Sequence, residues 1–284
     1  MSNKIKKLRK KYPKFVYESY SYKLTRGSLI ISFKFLIEPD IKFNPKVTIK
    51  RVDKKRMDDI DEKELDNLVF HLGLIEMISY WKTTCSPVIE VKAGKLNKDQ
   101  IKWWIDLIHN GLGQFFYENK IDWRGKDFLK IEAEKLIIKD LNKYSKRLRN
   151  RFIIPIGGGK DSIVTLELLK NTKKDIKCFS LNPTSSAKKV MKIGGCENPL
   201  IVERKIDKKL IQLNNKGFLN GHTPFSAYLA FLTAVLAVIF DYKYVAVSNE
   251  ESSNEGNVKY LGKEINHQYS KSYRFEKRFR KYSN

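Results

Sequence analysis

The chain has 284 residues, of which 42% are apolar and 12% aromatic, and this is enough to bury the core of one large domain or two ordinary ones. Its 56 Lys and Arg residues exceed its 32 Asp and Glu residues, and the net charge of +24 suits a polyanionic partner such as a nucleotide or an RNA. These values predict a globular protein and exclude a chain too polar to form a core.

The cysteines and the apolar segments exclude several other classes of protein. Cys85, Cys178 and Cys196 have no CxxC spacing, so we expect neither a disulfide framework nor a zinc site, and a reducing cytoplasm fits best. The basic start leads into no apolar segment and is therefore not a secretory signal. The longest apolar run, residues 224–240, is shorter than the roughly 18 to 20 residues of a membrane span, and it predicts a buried helix.

The amino-terminal half reads as a mixture of strands and helices. Residues 1–14 are rich in lysine and arginine and are predicted to form a frayed, basic tail. Residues 15–50 alternate short β-rich runs with turn signals, which predicts roughly two or three antiparallel strands. The charged residues 53–63 then open a helix, whose apolar stripe is formed by Leu65, Leu68, Leu72, Ile75 and Ile78.

Further along, residues 88–92 predict a short strand, and Asn97 and Gln100 have the spacing of a capping box at the start of a second helix. Another helix is predicted over residues 130–148. A domain boundary is placed near Asn150, so that residues 15–150 form an α+β substrate or accessory region and residues 151–284 form a nucleotide-binding domain.

After residue 150 the pattern becomes one of short buried strands separated by helices. Residues 152–156, 178–181, 200–202 and 244–247 are the predicted strands, and such continuous apolar runs are typical of a doubly wound parallel sheet. The fold class is therefore α/β. Ligands of such sheets bind at the carboxyl ends of the strands, where Asn182 and residues 248–250 are expected to face one crevice.

The sequence GGGKDS follows the first of these strands directly and opens a helix. It is not a P-loop, because Ile154 and Asp161 stand where that motif needs Gly and Ser or Thr, and it is not a GxGxxG loop, because Ser162 replaces the last glycine. A glycine loop at a helix start is a phosphate site. The predicted nucleotide-binding residues are Gly157, Gly158, Gly159, Lys160, Asp161, Ser162 and Asn182.

This loop resembles the SGGxDS signature of the PP-loop ATP pyrophosphatases, with Gly157 at the position where that family usually has Ser. The resemblance implies a PP-loop fold, of the adenine nucleotide alpha hydrolase or HUP-like type, that binds ATP and splits it between the α- and β-phosphates. It also implies Mg²⁺, for which Asp161 and Glu250 are the candidate ligands.

Three other polar segments are candidates for the site. His222 precedes the long apolar helix, where it either binds phosphate and moves a proton or merely caps that helix. SNEESSNEGN, residues 248–257, is either a metal or substrate segment at a strand end or an ordinary acidic loop. NHQYSKS, residues 266–272, is either a substrate-binding segment or a solvated tail.

Taken together, these segments resemble the ATP-dependent UDP-N-acetylmuramoyl-L-alanyl-L-glutamate epimerases. The resemblance is carried by GLIEMISYWK at residues 73–82, by Trp103 and Trp104, by residues 111–119, and by GGGKDS, SNEESSNEGN and NHQYSKSYRFE. The chain ends soon after Glu276, so we expect a shortened member of that family. The resemblance implies an anionic UDP-muramoyl dipeptide as substrate, and an acyl-adenylate whose Cα proton is removed and returned. The candidates for proton transfer are His222, His267, Tyr269 and Lys271.

Two alternatives stay open. One is a PP-loop tRNA-modifying enzyme, favoured by the basic charge; a thiolating enzyme of this kind would bring two cysteines together beside the loop. The other is a non-catalytic ATP-binding remnant, favoured by Gly157 in place of Ser. An RNA partner belongs to the first alternative, and the expected location under every hypothesis is the cytoplasm, with no membrane span.

Overall fold

The computed structural model describes residues 3–135, 146–172 and 174–283. Its first helix, α1 (Asn3–Lys11), packs on the body of the protein through Ile5, which is only 1% exposed. Arg9 Nη2 donates a hydrogen bond of 2.7 Å to the Phe128 carbonyl oxygen, and the guanidinium lies over the Phe128 ring. The prediction of a frayed basic tail is therefore wrong for these residues, because one apolar and one basic side chain anchor them.

Four strands in antiparallel pairs follow, one more than the two or three that the alternating pattern predicts, because the short β3 pairs with β2 as well. Inward residues of the second strand alternate with less buried ones along its whole length. The strands are β1 (Lys14–Thr25), β2 (Ser28–Ile37), β3 (Ile41–Phe43) and β4 (Lys46–Lys50).

The remainder of the amino-terminal half is built around one long helix. The predicted stripe residues pack in the core, with Leu68 half-buried, but the helix is buried on every side from residue 69 to residue 81, so it has no solvent face there. The capping box of Asn97 and Gln100 is also confirmed. The elements are α2 (Lys54–Asp58), α3 (Glu62–Trp81), β5 (Val88–Leu96), α4 (Lys98–Gly111), α5 (Gly113–Glu118) and β6 (Lys130–Lys135).

The helix predicted over residues 130–148 is wrong where the structure describes it. Residues 130–135 are β6, which pairs in parallel with β5, and residues 146–148 are not helical; residues 136–145 lie outside the described ranges. The sequence KIEAEK alternates in polarity, which is the period-2 pattern of a strand, and β5 offers it an edge to pair with.

The carboxyl-terminal half alternates strands and helices as predicted. It contains two 3-10 turns, Glu251–Asn254 and Tyr269–Lys271. The other elements are β7 (Phe152–Pro155), α6 (Lys160–Lys170), β8 (Ile176–Leu181), α7 (Ser185–Ile193), β9 (Leu200–Lys205), α8 (Lys208–Asn215), α9 (Phe225–Phe240), β10 (Tyr244–Val245), β11 (Val258–Tyr260), β12 (Lys263–Ile265) and α10 (Tyr273–Ser283).

Strands of both halves join one 10-stranded sheet, in the order β10-β7-β8-β9-β4-β2-β1-β5-β6, with β3 beside β2. The first four strands of that order are parallel, and β9 pairs antiparallel with β4, so the sheet continues across the predicted boundary near residue 150. The chain passes from β7 to β8 and β9, and then returns to place β10 on the other side of β7. The strand order thus reverses between β7 and β10, which is where ligands bind in such sheets.

Helices cover both faces of this parallel part. Neighbouring residues of β7 point to opposite faces, so that Ile153 joins the main core with α9, whereas Ile154 joins a small cluster with Leu166 of α6 and Met191 of α7. The doubly wound arrangement is therefore confirmed, within a larger mixed α/β sheet. No helix in the described part of the chain is long and apolar enough to cross a membrane.

A close contact between α3 and the sheet gives a prediction for Gly73. A Cβ at this position would lie 1.9 Å from the Tyr17 hydroxyl and 2.9 Å from a Phe33 ring atom. We expect Gly73→Ala to lower the free energy of unfolding by about 3 kcal/mol, because helix and strand must move apart. Urea denaturation measures this. Gly125→Ala is the control, since a Cβ there meets no described atom within 4 Å; equal losses in the two variants would contradict the packing argument.

The buried imidazole of His71 predicts a dependence of stability on pH. Its Nδ1 lies 2.8 Å from the Asn67 carbonyl oxygen, and burial lowers its pKa to about 4. The unfolded chain has the ordinary value of about 6.5, so it takes up the proton first as the pH falls. Stability is therefore intact above pH 6.5 and is lost between pH 6.5 and 4, by up to about 3 kcal/mol.

Unfolding titrations of the wild type and of His71→Gln across this pH range test the assignment, since glutamine takes up no proton there. The difference between the two free energies of unfolding should change with pH in the stated direction. Parallel profiles would show that His71 is not responsible.

Candidate functional site

The glycine loop joins β7 to α6 and is fixed against α7. Gly158 has a φ of +91°, in the region that favours glycine, and a Cβ there would lie 2.7 Å from the Ala187 nitrogen. Ser186 Oγ donates a hydrogen bond of 2.9 Å to the Gly158 carbonyl oxygen. The path of the loop therefore requires glycine at this position.

Gly157 and Gly159 are different, because the protein leaves space beside both of them. A Cβ at either position would meet no described atom within 4 Å, and both residues line a crevice. Gly159 is the N-cap of α6, and no described side chain caps this helix. The first N–H groups of α6 and the positive end of its dipole therefore remain available. This open backbone fits the phosphate chain of ATP.

The crevice has a volume of about 560 Å³ and lies where the strand order reverses. Asp161 and Ser162 of the loop line it, and the Ser162 hydroxyl donates to the Gly159 carbonyl oxygen at 2.8 Å. Lys160 is exposed beside it. The other walls come from α9, from the segment after β10 and from α10; their polar members are Ser226, Thr233, Lys243, Ser248, Asn249, Ser270, Lys271, Glu276, Arg280 and Ser283.

Lys271 lines the crevice, and the other candidates for proton transfer, His222, His267 and Tyr269, do not. Ser248 and Asn249 face the crevice as the sequence predicts, but Asn182 does not fulfil that expectation. Its side-chain amide donates to the Arg204 carbonyl oxygen at 2.9 Å and accepts from the Arg204 nitrogen at 2.9 Å, so it lines a separate cleft beside β9. The polar ends of β8 and β9 bond to each other instead of facing the loop.

His222 lies in the segment that enters α9, and Lys82 holds this segment in place. Lys82 is 6% exposed, and its Nζ donates a hydrogen bond of 2.7 Å to Thr223 Oγ1. Burial, followed by the charges of His267 and Lys82, lowers the pKa of His222 below its usual value. The two predicted histidines are thus neighbours, although neither lines the crevice. The alternative role as a cap is wrong, because no described side chain caps α9.

A buried ion pair beside this segment was missed by the sequence analysis. Arg204 Nε donates to Glu76 Oε2 at 2.8 Å, and Arg204 Nη2 donates to Glu76 Oε1 at 3.0 Å. The Glu76 side chain is fully buried, and the Arg204 guanidinium lies over the Tyr228 ring. Burial, followed by the charge of Arg204, lowers the pKa of Lys82 to about 8. No sequence signal links Glu76 to Arg204, which is 128 residues away.

The polar segments at residues 248–257 and 266–272 bond to each other. Asn266 Nδ2 donates to the Ser253 carbonyl oxygen at 2.8 Å, and Asn257 Oδ1 accepts from the His267 nitrogen at 2.8 Å. Ser253 Oγ lies 3.0 Å from the Lys271 carbonyl oxygen. These contacts fix the turn Tyr269–Lys271, so residues 266–272 are not a solvated tail. Glu250, Glu251 and Glu255 are exposed, as in an ordinary acidic loop.

Tyr269 lies on the other side of this turn from Lys271. Its hydroxyl donates to Asp106 Oδ2 at 3.2 Å, and burial raises its pKa to about 12, so the phenol keeps its proton at neutral pH. Tyr269 and Asp106 line a second cavity, with a volume of about 750 Å³.

The two candidate metal ligands are not together. Asp161 lines the crevice, whereas Glu250 is exposed and does not line it. Within residues 3–135, 146–172 and 174–283, no group of three or more His, Cys, Asp and Glu side chains could hold a metal ion. The carboxylates that line the crevice in the described part of the chain are Asp161 and Glu276, and Glu276 Oε1 is paired with Arg280 Nη2 at 2.6 Å. The Asp161 carboxylate fits a Mg²⁺ ion that takes its other ligands from phosphate and water.

The cysteines also differ from the prediction. Cys178 of β8 and Cys196, which follows α7, form a disulfide with a Cα–Cα distance of 5.8 Å, and Cys85 is free and buried. Cys178 stands opposite Ile154 of β7, shortly before the glycine loop, and packs in the apolar cluster under it. The turn after α7 brings the two together, which spacing in the sequence does not reveal.

The comparisons with known proteins agree with the resemblance seen in the sequence. Residues 6–284 match the family model described as MurL N-terminal domain. UDP-N-acetyl-alpha-D-muramoyl-L-alanyl-L-glutamate epimerase of Salinispora tropica is 30% identical over 259 residues, which are 90% of this chain and 55% of that protein. Proteins of the same name from Micromonospora sp. and Xanthomonas oryzae pv. oryzae are 29% and 28% identical, over 90% and 74% of this chain and 56% and 46% of their own lengths.

The chain therefore spans about half the length of the curated relatives that it matches. No solved structure matches it. Because the family model covers residues 6–284, the chain belongs to the MurL N-terminal domain family.

Proposed function

We propose that the chain is the ATP-using part of an epimerase that inverts the terminal L-glutamate of UDP-N-acetylmuramoyl-L-alanyl-L-glutamate, in peptidoglycan precursor synthesis. The observation that carries this proposal is the open glycine loop at the reversal of strand order, in a chain whose relatives are named epimerases of that substrate. The PP-loop type of fold is part of the proposal, as is cytoplasmic location, since the reaction consumes ATP.

In the proposed reaction, an oxygen of the glutamate carboxylate attacks the α-phosphorus of ATP. The bond between the α-phosphorus and its bridging oxygen breaks, and pyrophosphate leaves. The backbone of Gly157 and Gly159 and the start of α6 bind the phosphates, while Lys160 and Ser162 offer a charge and a hydroxyl. Asp161 is the proposed ligand of Mg²⁺, which supplies positive charge against the phosphates when bound.

The acyl-adenylate makes the glutamate Cα proton more acidic than it is beside a carboxylate. A base then removes this proton, and an acid returns a proton to the other face. The lowered pKa of His222 keeps its imidazole neutral, as a base requires, and the raised pKa of Tyr269 keeps its phenol protonated, as an acid requires, but neither side chain lines the crevice. Lys271 and His267 remain candidates because one lines the crevice and the other adjoins His222. Water finally releases AMP and the D-glutamyl product.

The test is to incubate the chain with ATP, MgCl₂ and the UDP-muramoyl dipeptide, and to assay pyrophosphate and the chirality of the glutamate. We expect pyrophosphate release that depends on the dipeptide, together with D-glutamate. ATP binding without pyrophosphate release from any acceptor would indicate the non-catalytic remnant. Absence of ATP binding would overturn the proposed site altogether.

The disulfide supports a second candidate, a tRNA-modifying enzyme. Cys178 and Cys196 are paired, and the half-buried Cys196 lines the separate cleft beside β9, which also contains Lys188 and Lys192. Such lysines attract an RNA backbone. Pyrophosphate release that depends on tRNA and is lost in Cys196→Ser would favour this candidate, and release that depends on the dipeptide would exclude it.

A further inference from the structure

The second cavity lies directly behind the turn that borders the crevice. Its wall is formed by α4, the hairpin of β11 and β12, and the start of α10, and its volume of about 750 Å³ is within the range of ligand sites. Tyr269 and Ser272 line this cavity, whereas Ser270 and Lys271 line the crevice. The turn Tyr269–Lys271 is therefore a shared wall between the two spaces.

Two carboxylates line this cavity, and both have partners. Asp106 accepts from Tyr269 and lies 3.1 Å from Arg278 Nη2, and Glu264 Oε1 accepts a hydrogen bond of 3.1 Å from the Gly256 nitrogen. Lys263 and Arg274 are exposed on its rim, and neither has an ion-pair partner among the described residues. Two cations that converge on one polar cavity provide charge-assisted hydrogen bonds to an anionic group.

The wall is also rigid. Asn254 and Asn266 use their amides to hold the neighbouring backbone, through hydrogen bonds of 2.8 Å each to Tyr273 and Ser253. Trp123, which is 3% exposed, stacks against both the Phe116 and the Tyr260 rings in the same wall. A site fixed in this way needs little reorganisation when a ligand binds.

We propose that this cavity binds the diphosphate-bearing end of the acceptor substrate, a nucleoside diphosphate, while the acceptor's carboxylate end reacts in the crevice across the shared wall. This inference rests on the proposed function, because it assigns the two cavities to the two substrates of one reaction. Lys263 and Arg274 bind the phosphates.

The probe is UDP, titrated calorimetrically into the 284-residue chain. The double variant Lys263→Ala/Arg274→Ala is expected to weaken UDP binding about tenfold or more, as the loss of two charge-assisted contacts implies. The matched control is Lys23→Ala/Arg26→Ala, which removes the same charge from exposed residues of the β1–β2 hairpin that do not line the cavity. It should change the Kd less than about twofold. Thermal unfolding checks that the variants remain folded, and Lys263→Gln/Arg274→Gln repeats the test if the alanine variant does not.

A saturating ATP analogue should leave UDP binding unchanged, and so should Asp161→Ala. The assignment is overturned if UDP does not bind, if the analogue displaces it, or if the control variant weakens binding as much as the cavity variant. UDP binding requires neither ATP nor turnover. If the chain binds UDP in this cavity but releases no pyrophosphate, only the proposed function is overturned. If it releases pyrophosphate but does not need Lys263 and Arg274 to bind UDP, only the assignment of the cavity is overturned.

Discussion

Asp161→Ala is expected to lower pyrophosphate release roughly a hundredfold while leaving thermal unfolding nearly unchanged. Asp161 lies in the first turn of α6 and lines the crevice, and no described residue holds its side chain by a hydrogen bond or an ion pair. Its removal therefore disrupts no contact of the fold, but it takes away the carboxylate nearest to the bound phosphates. A large kinetic effect without a stability effect is what separates a site residue from a structural one.

Glu167→Ala is the matched control, since Glu167 lies on the same helix, carries the same charge and, among the described residues, pairs with Lys170 alone on the surface. It should leave pyrophosphate release within about twofold of the wild type, because an exposed pair contributes little. Ser162→Ala is expected to impair release as well, although the loss of its bond to Gly159 also affects the loop. Near-normal release in Asp161→Ala would remove the crevice from the proposed reaction.

The parts of the fold that the sequence predicts well depend on neighbours along the chain. The glycine loop, the capping box at Asn97 and the long helix α9 each show a local signal, because backbone geometry and helix ends are determined over a few residues. Asp161 and Lys271 line the same crevice. Asp161 lies next to the glycine loop, and Lys271 lies in a segment that follows strands whose carboxyl ends converge there.

The features that the sequence does not predict depend on long-range contacts. Asn182 ends a strand as expected, yet the arrival of Arg204 beside it diverts its side chain. Cys178 and Cys196 meet because the turn after α7 brings them together, and residues 130–135 form a strand where β5 offers an edge to their alternating pattern. The side-chain amides of Asn254 and Asn266 look like ligand groups in the sequence, but they hold the backbone of neighbouring segments instead.

The buried pair of Glu76 and Arg204 gives the largest expected effect on stability. Glu76→Gln should lower the free energy of unfolding by about 3 to 5 kcal/mol, because it leaves a buried guanidinium without its anion. The side chains of Glu76 and Arg204 are 0% and 9% exposed, and the buried Lys82 ammonium is close to Arg204. Two neighbouring cations would then share a region of low dielectric with no carboxylate bonded to Arg204.

Urea denaturation of Glu76→Gln and Glu203→Gln compares a buried ion pair with an exposed one, and each pair includes a residue of β9. Glu203 stands next to Arg204 and pairs with Lys50, but these side chains are 53% and 44% exposed, so its loss should cost less than about 1 kcal/mol. The double variant Glu76→Leu/Arg204→Met should recover most of the stability lost in Glu76→Gln, since an apolar pair needs no counterion. If Glu76→Gln costs no more than Glu203→Gln, the ion pair does not stabilise the fold. If the double variant is as unstable as Glu76→Gln, the loss comes from the hydrogen bonds to Arg204 and not from its unpaired charge.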